Sequence, residues 1–407
     1  MRAGLLIPAV AVALACGAGP ATPGAGVDGG ASGGGGTDAG APPASDAGAG
    51  GGAGNADAGN ADAGSGSGGS GSSDGGVGGE SGALTYDVKD LGEALVFSVD
   101  PRGRVAGATC TGSGSTAPCQ GAIFTHSSGW SAVPVPEGAS HVDAIGIDAA
   151  GNVGLNASFP FQRSSYRRAY TASPLRPVPT ASQTPQTTFI NAVHPMTGHL
   201  VGYDEALGGA YLDDGAIRAL AVRPGKTSEN AGPSQATALN AHDQVVGWMR
   251  PTSDSGPDND SQRHAFLWER GKLTDLGSGE GPCDRAATGI NDSGVVVGWT
   301  DGERCGNPVM FIWDGQIRIA GCPPGTMNCD PTGINGRGDI VGSAIVTVIQ
   351  PQQGFLYRDG AWHRLDDLVV DGAGWTFSLP TSINDAGQIT GTGRLNGQNR
   401  GFLLTPR

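Results

Sequence analysis

Residues 289–299 read GINDSGVVVGW, and related strings recur along the second, larger part of the chain. In each string an aliphatic residue precedes Asp or Asn, and a short β-branched segment ending in Gly follows. An Asx side chain can accept hydrogen bonds from the backbone two residues further on, and Gly at the fourth turn position tolerates the left-handed conformation. The string therefore predicts a tight hairpin turn.

Such turns divide residues 84–407 into repeats, because consecutive Asx residues are 43 to 51 residues apart. A period of this length without a helical pattern predicts the blades of a β-propeller. Two units depart from the pattern: Asp243 stands where Gly is expected, and the segment 191–198 is four residues longer than the other turns. The residues predicted to build the turns are Asp100 and Gly103, Asp148 and Gly151, Asn191, Asn240, Asn291 and Gly294, Asn335 and Gly338, and Asn384 and Gly387.

Four short strands are predicted in each repeat. In one repeat they are an aromatic strand A at residues 265–268, a strand B ending near DLG at 275–277, a strand C ending at the Asx residue, and a strand D at 295–298. The array opens at residues 86–92 (YDVKDLG) with a B strand that lacks an A strand before it, and it ends at residues 401–404 (GFLL) with an A strand that lacks a B strand.

The orphan A strand and the orphan B, C and D strands complete a seventh unit if the chain closes into a ring. Closure removes the exposed edges that an open array would present. The sequence therefore predicts an all-β fold, a seven-bladed β-propeller of four-stranded blades closed by the C-terminal strand. An open β-solenoid is the alternative.

The composition of the first 83 residues predicts an export signal followed by a disordered spacer. Residues 1–16 contain one cation and an apolar run at 5–15 that is too short to span a bilayer, which is typical of a signal peptide. Residues 14–16 (LAC) resemble the lipobox of bacterial lipoproteins, which implies a lipid on Cys16; an ordinary cleaved signal is the alternative. Residues 17–83 are mostly Gly, Ala, Ser, Asp and Asn, and this composition predicts a disordered tether.

Six further cysteines, an even number, predict three disulfides in an oxidising compartment. The B–C and D–A loops share one end of an antiparallel ring, so all six should lie on one face. No CxxC spacing occurs and no His adjoins these cysteines, which disfavours zinc, and no other metal or cofactor is predicted. Six cysteines allow fifteen arrangements, so the sequence leaves the connectivity open. The favoured pairs, each within a loop or between neighbouring loops, are Cys110 with Cys119, Cys283 with Cys305, and Cys322 with Cys329.

One unit also resembles a known family. The segments 264–268 (HAFLW), 275–277 (DLG) and 289–298 (GINDSGVVVG) together are similar to the HAF family of bacterial extracellular repeats. The other units keep the Asx turn and the aliphatic strands but lose the His, as at Val309. The resemblance implies export and a β-repeat fold over residues 84–407, and it implies no catalytic residues.

A search for chemistry finds no catalytic constellation in the sequence. The seven His residues show no HxH or HExxH spacing, and residues 84–407 contain neither a GxSxG elbow nor a phosphate-binding Gly-Lys loop. The acidic loop at 254–260 lacks the register of a Ca²⁺-binding loop. The spacing of Trp248 and Trp299 from their turns differs from that of the Asp-box of sialidase propellers.

The densest basic and aromatic stretch is the best candidate for ligand contact. Arginine and tyrosine favour anionic polymers or carbohydrate through charge and stacking. The alternative is an edge strand with outward charges that discourage aggregation. The predicted contact residues are Arg163, Tyr166, Arg167, Arg168 and Tyr170.

Together these features predict a non-enzymatic binding or interaction module, lipid-anchored at the outer membrane or cell surface. Its partner would be a surface protein or a glycan, with the membrane contacted only through the lipid, and the protein would be a monomer. The formal net charge of −14 disfavours nucleic acid as a partner. The alternatives are a propeller hydrolase acting on glycans and a purely structural envelope protein.

Overall fold

The structure, a computed structural model, describes residues 84–110, 119–161, 164–179, 186–220, 233–250, 262–279, 283–302, 305–347 and 352–407. The predicted signal peptide, Cys16, the tether at 17–83 and Arg163 lie outside the described residues. The described residues form seven antiparallel sheets of four strands each, arranged as the blades of a β-propeller. This confirms the predicted fold class.

Each of the first six blades uses four strands that are consecutive in the chain. Blade 1 consists of β2 (Ala94–Val99), β3 (Val105–Cys110), β4 (Cys119–Thr125) and β5 (Gly129–Ala132). Blade 2 consists of β6 (His141–Ile147), β7 (Val153–Phe161), β8 (Ser164–Ala172) and β9 (Leu175–Pro177). Blade 3 consists of β10 (Thr188–Val193), β11 (Leu200–Asp204), β12 (Gly209–Asp213) and β13 (Ile217–Ala219). Blade 4 consists of β14 (Ser234–Leu239), β15 (Val245–Met249), β16 (His264–Glu269) and β17 (Lys272–Asp275). Blade 5 consists of β18 (Arg285–Ile290), β19 (Val296–Asp301), β20 (Pro308–Trp313) and β21 (Ile317–Gly321). Blade 6 consists of β22 (Asn328–Ile334), β23 (Ile340–Ile345), β24 (Gln353–Arg358) and β25 (Ala361–Arg364).

The seventh blade joins the two ends of the propeller. Its strands are β26 (Trp375–Ile383), β27 (Ile389–Leu395), β28 (Gln398–Pro406) and β1 (Tyr86–Asp90), and the short helix α1 (Leu365–Leu368) precedes it. Strand β1 pairs antiparallel with β28, with Val88 opposite Leu404 and Asp90 opposite Phe402. The predicted closure by the C-terminal strand is therefore confirmed.

The closing strands repeat the hydrogen bonds of an uninterrupted blade. The amide of Leu91 donates to the carbonyl of Gly401 at 2.9 Å, and the amide of Gly401 donates to the carbonyl of Gly92 at 2.9 Å. In blade 4 the amide of Leu276 donates to Ala265, and the amide of Ala265 donates to Gly277, at 2.9 and 3.1 Å. The chain ends thus reconstitute the A–B pairing from segments at opposite ends of the domain.

The strands are grouped into blades differently from the sequence-based prediction, because each sheet begins with a C strand rather than an A strand. The order A–B–C–D would place β28 and β1 in one sheet with β2 and β3, whereas the sheets run C–D–A–B and β1 is the outermost strand beside β28, β27 and β26. The B–C connection therefore crosses from the rim of one blade to the inner strand of the next. The spacing of the turns fixes the repeat length but does not determine which strand of the repeat begins a blade.

Asx turns link the first and second strands of the blades. In the turn at Asn291, the side-chain Oδ1 accepts hydrogen bonds from the amides of Ser293 and Val295 at 3.1 and 3.0 Å. The amide of Gly294, at φ +78°, donates to the carbonyl of Asn291. Residues Asp100, Asp148, Asn240, Asn335 and Asn384 accept from the backbone two or four residues later in the same manner.

The prediction that Asn191 begins the turn of blade 3 is wrong. The turn begins at His194, whose Nδ1 accepts from the amides of Met196 and Thr197 at 3.2 Å each. With His194 as the turn residue, the intervals to Asp148 and Asn240 both become 46 residues. A histidine in the Asx position hid this turn from a search for Asp and Asn.

Each inner strand carries a β-bulge three residues before its turn residue. The skipped residues are Phe97, Ile145, Asn191, Thr237, Thr288, Thr332 and Thr381. Four of them donate a side-chain hydrogen bond to a backbone carbonyl of the next blade: Asn191 to Ala236, Thr237 to Ala287, Thr288 to Pro331, and Thr332 to Pro380. Asn191 therefore stabilises the contact between blades rather than a turn.

The bulge explains the Gly that ends each VVG segment. Except in blade 2, where Leu155 stands, a Gly of the second strand lies opposite the residue before the bulge. A Cβ on Gly298 would lie 2.1 Å from the carbonyl oxygen of Ala286, so no larger residue fits without a backbone shift.

A second set of inter-blade hydrogen bonds runs through the turn residues themselves. An Asn amide donates to the carbonyl of the turn residue in the next blade, which ties the turns together around the axis. These bonds run from Asn240 to Asn291 at 2.9 Å, from Asn291 to Asn335 at 3.0 Å, from Asn335 to Asn384 at 3.1 Å, and from Asn384 to Asp100 at 2.8 Å.

The aspartate at position 100 cannot continue this series because a carboxylate has no donor. Arg104 replaces the missing amide: its Nε donates to Asp100 Oδ2 at 2.7 Å, and its Nη2 donates to the carbonyl of Asp148 at 2.6 Å. The chain of bonds therefore passes from blade 7 into blade 1 and on to blade 2.

The apolar core lies between neighbouring blades. One cluster of buried residues from blades 6 and 7, together with β1 and α1, includes Tyr86, Leu356, Phe377 and Phe402. Tyr86 is only 1% exposed, so the first strand of the propeller is fastened by a fully buried aromatic ring. None of the described residues forms a helix long and apolar enough to cross a membrane.

Three disulfides staple the loops opposite the Asx turns. They join Cys110 to Cys119, Cys283 to Cys305, and Cys322 to Cys329, which are the predicted pairs. All six cysteines lie at D–A or B–C connections and therefore on one end of the ring, which we call the disulfide face. The opposite end is called the turn face. Disulfides of this kind are typical of oxidising, extracellular compartments.

Candidate functional site

Three aromatic residues lie outside the clusters of buried apolar residues between blades. Of the seven Trp and six Tyr residues of the chain, all of which are described, ten pack into the clusters of buried apolar residues between blades. The exceptions are Tyr203, Trp248 and Trp299, each of which is partly buried. Tyr and Trp are enriched at binding interfaces, and aromatic side chains commonly line ligand sites, so these three mark a candidate binding surface.

The three residues occupy the same position in three successive blades. Each follows the Gly of its second strand, in blades 3, 4 and 5. Tyr203 lies opposite Phe189 on the inner strand, and their rings stack with centroids 5.4 Å apart. The repeat architecture thus places three aromatic rings at equivalent heights around part of the axis.

Arg263 lies between the two tryptophans. Its Cζ is 5.2 Å from the ring centroid of Trp248 and 5.7 Å from that of Trp299. The Nε atom is 3.4 Å from Oδ2 of Asp284, and the Arg263 side chain is 15% exposed. Since Arg263 belongs to blade 4 and Trp299 to blade 5, this contact fixes the relative position of the two rings.

Two carboxylates complete the site, and the disulfide Cys283–Cys305 holds the loops that carry them. Asp284 Oδ1 accepts from the amide of Arg263 at 2.8 Å, and Asp301 Oδ2 accepts from the amide of Asp284 at 3.1 Å. Burial raises the pKa of the Asp301 carboxyl, and the neighbouring Asp284 charge adds to the rise, while the hydrogen bond from the Asp284 amide and the charge of Arg263 oppose it. We call Tyr203, Trp248, Arg263, Asp284, Trp299 and Asp301 the aromatic–arginine site.

The basic stretch predicted as a ligand contact does not form one surface. It lies on β8, and the alternation of a strand places Tyr166, Arg168 and Tyr170 on one face and Arg167 on the other. Tyr166 and Tyr170 pack against the cluster between blades 1 and 2, where Tyr166 stacks on Phe159 with centroids 5.3 Å apart. The two tyrosines therefore contribute to packing between blades, whether or not they also contact a ligand.

The two irregular turns of the sequence meet on the turn face. Nδ1 of His199, from the long turn of blade 3, lies 2.5 Å from Oδ1 of Asp243, which has φ +55° in the position that other turns give to Gly. Nε2 of His194 lies 3.8 Å from Oδ1 of Asp292 in blade 5. Burial lowers the pKa of His194, although the charges of Asp292 and Asp243 oppose this. Within the described ranges, no group of three or more His, Cys, Asp or Glu side chains is arranged to hold a metal ion.

Sequence reasoning missed the aromatic–arginine site. A signal was present, because the pairs Gly202-Tyr203, Gly247-Trp248 and Gly298-Trp299 recur in three consecutive units. The approach of Arg263 to both indoles carried no such signal, since it depends on how two sheets pack.

Comparisons with known proteins bear on the fold. No protein-family model matches the chain, and no curated protein matches its sequence. Solved structures of similar fold include virginiamycin B lyase from Staphylococcus aureus, at 14% identity over 79% of this chain and 99% of that chain with a TM-score of 0.44. The β-propeller domain of the Trilobed protease from Pyrococcus furiosus is 10% identical over 79% of this chain and 97% of that chain, with a TM-score of 0.48. A gluconolactonase from Xanthomonas campestris is 10% identical over 80% and 91%, with a TM-score of 0.36. At these identities the similarity is one of fold.

Proposed function

We propose that this chain is an exported propeller that acts as a binding module at the cell surface and contacts its ligand through the aromatic–arginine site. The observation that carries the proposal is that Tyr203, Trp248 and Trp299 repeat around the ring without joining the inter-blade clusters. Rigid aromatic rings beside a guanidinium group are enriched in binding hot spots. The ligand class is a surface protein or a glycan that presents flat faces to these rings.

The location of the protein is the second part of the proposal. Three disulfides support export, and the lipobox-like residues 14–16 support a lipid on Cys16 as the sole contact with the membrane. Metabolic labelling with a palmitate analogue should label the wild type but not Cys16→Ser, and this variant should leave the membrane fraction. Equal labelling of both proteins would refute lipidation at Cys16.

Binding can be tested with the purified protein on a glycan array and in pull-downs from envelope extracts, followed by titration with the ligand found. Trp248→Ala and Trp299→Ala should each weaken binding about 30-fold, since truncated hot-spot residues cost about 2 kcal/mol. Phe161→Ala is the matched control, because Phe161 is an aromatic residue of the β7–β8 hairpin and is 42% exposed. Loss of binding in the control with retention in both Trp variants would move the site to that hairpin and overturn the proposal.

One observation favours a glycan hydrolase as the second candidate function. Asp301 has a raised pKa beside the second carboxylate of Asp284, and glycoside hydrolysis commonly uses a protonated and an ionised carboxyl together. Binding alone predicts that no reducing sugar is released from bound glycans. Release that is lost in Asp301→Asn, a variant that keeps its fold and its ligand, would establish hydrolysis instead.

A further inference from the structure

A second concave site lies at the outer side of blades 5 and 6, away from the aromatic–arginine site. The groove has a volume of about 290 Å³ and lies between the loop after β21 and the outer strand β25 with α1. Its apolar wall is made by Pro323, Pro324, Trp362 and Leu368. Its polar wall is made by His363, Arg364 and Asp367.

The walls of this groove are held in place independently of any ligand. The Cys322–Cys329 disulfide closes the loop that carries both prolines, and the amide of Thr326 donates to the carbonyl of Pro323 at 3.1 Å. On the opposite side, Oδ1 of Asp366 in α1 accepts from the amide of Phe377 at 2.9 Å. A preformed concavity binds a ligand without a cost for ordering its own loops.

Trp362 connects the groove to the core. Its ring lies 5.0 Å from Phe355 and 4.7 Å from Tyr357, centroid to centroid, and it packs against the cluster between blades 5 and 6. The indole is therefore fixed while part of it faces the groove.

The polar groups of the groove are available for a ligand. In the part of the chain that the structure describes, neither the His363 side chain nor the Asp367 side chain makes a hydrogen bond or ion pair. Arg364 contacts Asp366 with Nη2 3.2 Å from Oδ2, and its side chain is 49% exposed, so it keeps further donors. A carboxylate acceptor and cationic or imidazole donors thus converge beside an apolar wall.

We propose that this groove binds a single neutral pyranose ring. The volume is near the lower end for small-molecule sites, which is about 300 Å³, and so suits one ring rather than an extended ligand. The C–H face of a pyranose can pack on Trp362 and the two prolines, while Asp367 accepts from its hydroxyl groups and His363 and Arg364 donate to them. Because Arg364 pairs with Asp366, the carboxylate of Asp367 remains as the excess charge, which disfavours an anionic ligand and suits one that donates hydroxyl hydrogen bonds.

The test uses the full purified protein and a set of methyl pyranosides of glucose, galactose, mannose and N-acetylglucosamine. Saturation-transfer NMR should show binding of at least one of them in the millimolar range. Asp367→Asn should weaken that binding at least tenfold, since it removes a charged acceptor. Asp359→Asn is the control, because its carboxylate is 94% exposed and lies in the turn just before β25.

Trp248→Ala separates this site from the proposed function: the pyranoside binding that Asp367→Asn weakens should persist in Trp248→Ala, whereas pyranoside binding at the aromatic–arginine site should be lost in Trp248→Ala and kept in Asp367→Asn. The proposal is overturned if no pyranoside shows saturable binding or if Asp359→Asn and Asp367→Asn behave alike. Binding of a tetraproline peptide in place of every sugar, lost in Asp367→Asn, would also overturn it by assigning the groove to a peptide.

Discussion

Replacing Asn291 with Asp should destabilise the propeller while leaving the local turn intact. Asn291 is only 6% exposed; its Oδ1 holds the turn, and its amide donates to the carbonyl of Asn335 in the next blade at 3.0 Å. An aspartate keeps the acceptor but has no donor, so the carbonyl of Asn335 retains only the amide of Gly338 as a partner. The second carboxylate oxygen would face that carbonyl, buried and without a donor, and an unsatisfied buried acceptor costs about 1–3 kcal/mol.

The structure itself suggests how to rescue this variant. In blade 1 an aspartate occupies the turn position, and Arg104 four residues later donates both to it and to the next blade. Val295 is the residue four positions after Asn291. Adding Val295→Arg to Asn291→Asp should therefore recover about half of the lost stability or more, whereas Val295→Arg alone should give no gain.

The assay is differential scanning calorimetry of the four proteins at neutral pH. For a domain of this size a loss of 1–3 kcal/mol corresponds to a fall in Tm of roughly 2–10 °C. The inter-blade argument fails if Asn291→Asp melts with the wild type, or if Val295→Arg changes the wild type and the Asp variant by the same amount. The argument predicts a favourable coupling free energy between Asn291→Asp and Val295→Arg in the double-mutant cycle.

Three further predictions test closure, the bulge and Asp330, a half-buried acid whose Oδ1 atom is enclosed. Tyr86→Ala should lower the free energy of unfolding by about 3–5 kcal/mol, whereas Lys89→Ala on the same strand should change it by less than about 0.5; equal effects would contradict closure through β1. Gly298→Ala should cost about 1–3 kcal/mol in the same measurement, because the new Cβ would meet the Ala286 carbonyl at 2.1 Å, and an unchanged stability would show that the close approach is absent. Burial raises the pKa of Asp330 from 3.8 to about 7, and its Oδ1 has no partner among the described residues. Between these two pKa values the folded state binds more protons than the unfolded state, so the free energy of unfolding of the wild type should fall as pH rises from about 4 to 7. The fall should be at most about 4 kcal/mol relative to Asp330→Asn, and a pH-independent difference between the two proteins would refute this.

Turn chemistry could be read from the sequence because it is local. Asn291 and Gly294 interact within four residues, so their spacing alone predicts the hairpin. The same approach missed the turn at His194, because an imidazole nitrogen can accept the same backbone hydrogen bonds as an Asx oxygen. The favoured disulfide pairs are confirmed, each within one loop or between neighbouring loops, although the sequence left their connectivity open.

The candidate sites could not be read in this way. His199 and Asp243 are 44 residues apart, and nothing in either turn indicates that the two irregular units compensate each other. The basic stretch on β8 stays a prediction as a ligand contact, and the strand divides its residues between two sides, since adjacent residues of a strand point to opposite sides. Composition identified the residue types but not the faces they occupy.

The sequence by itself determined the repeat length, six of the seven turns, the face that carries the six cysteines and the meeting of the two chain ends, because each depends on short-range hydrogen bonding or on order around a ring. Only the tertiary structure decided which strands share a blade, which aromatic rings remain outside the core, and that Arg263 reaches both Trp248 and Trp299. Those outcomes depend on the bulge in each inner strand and on the angle at which neighbouring sheets pack, and both are properties of the closed ring.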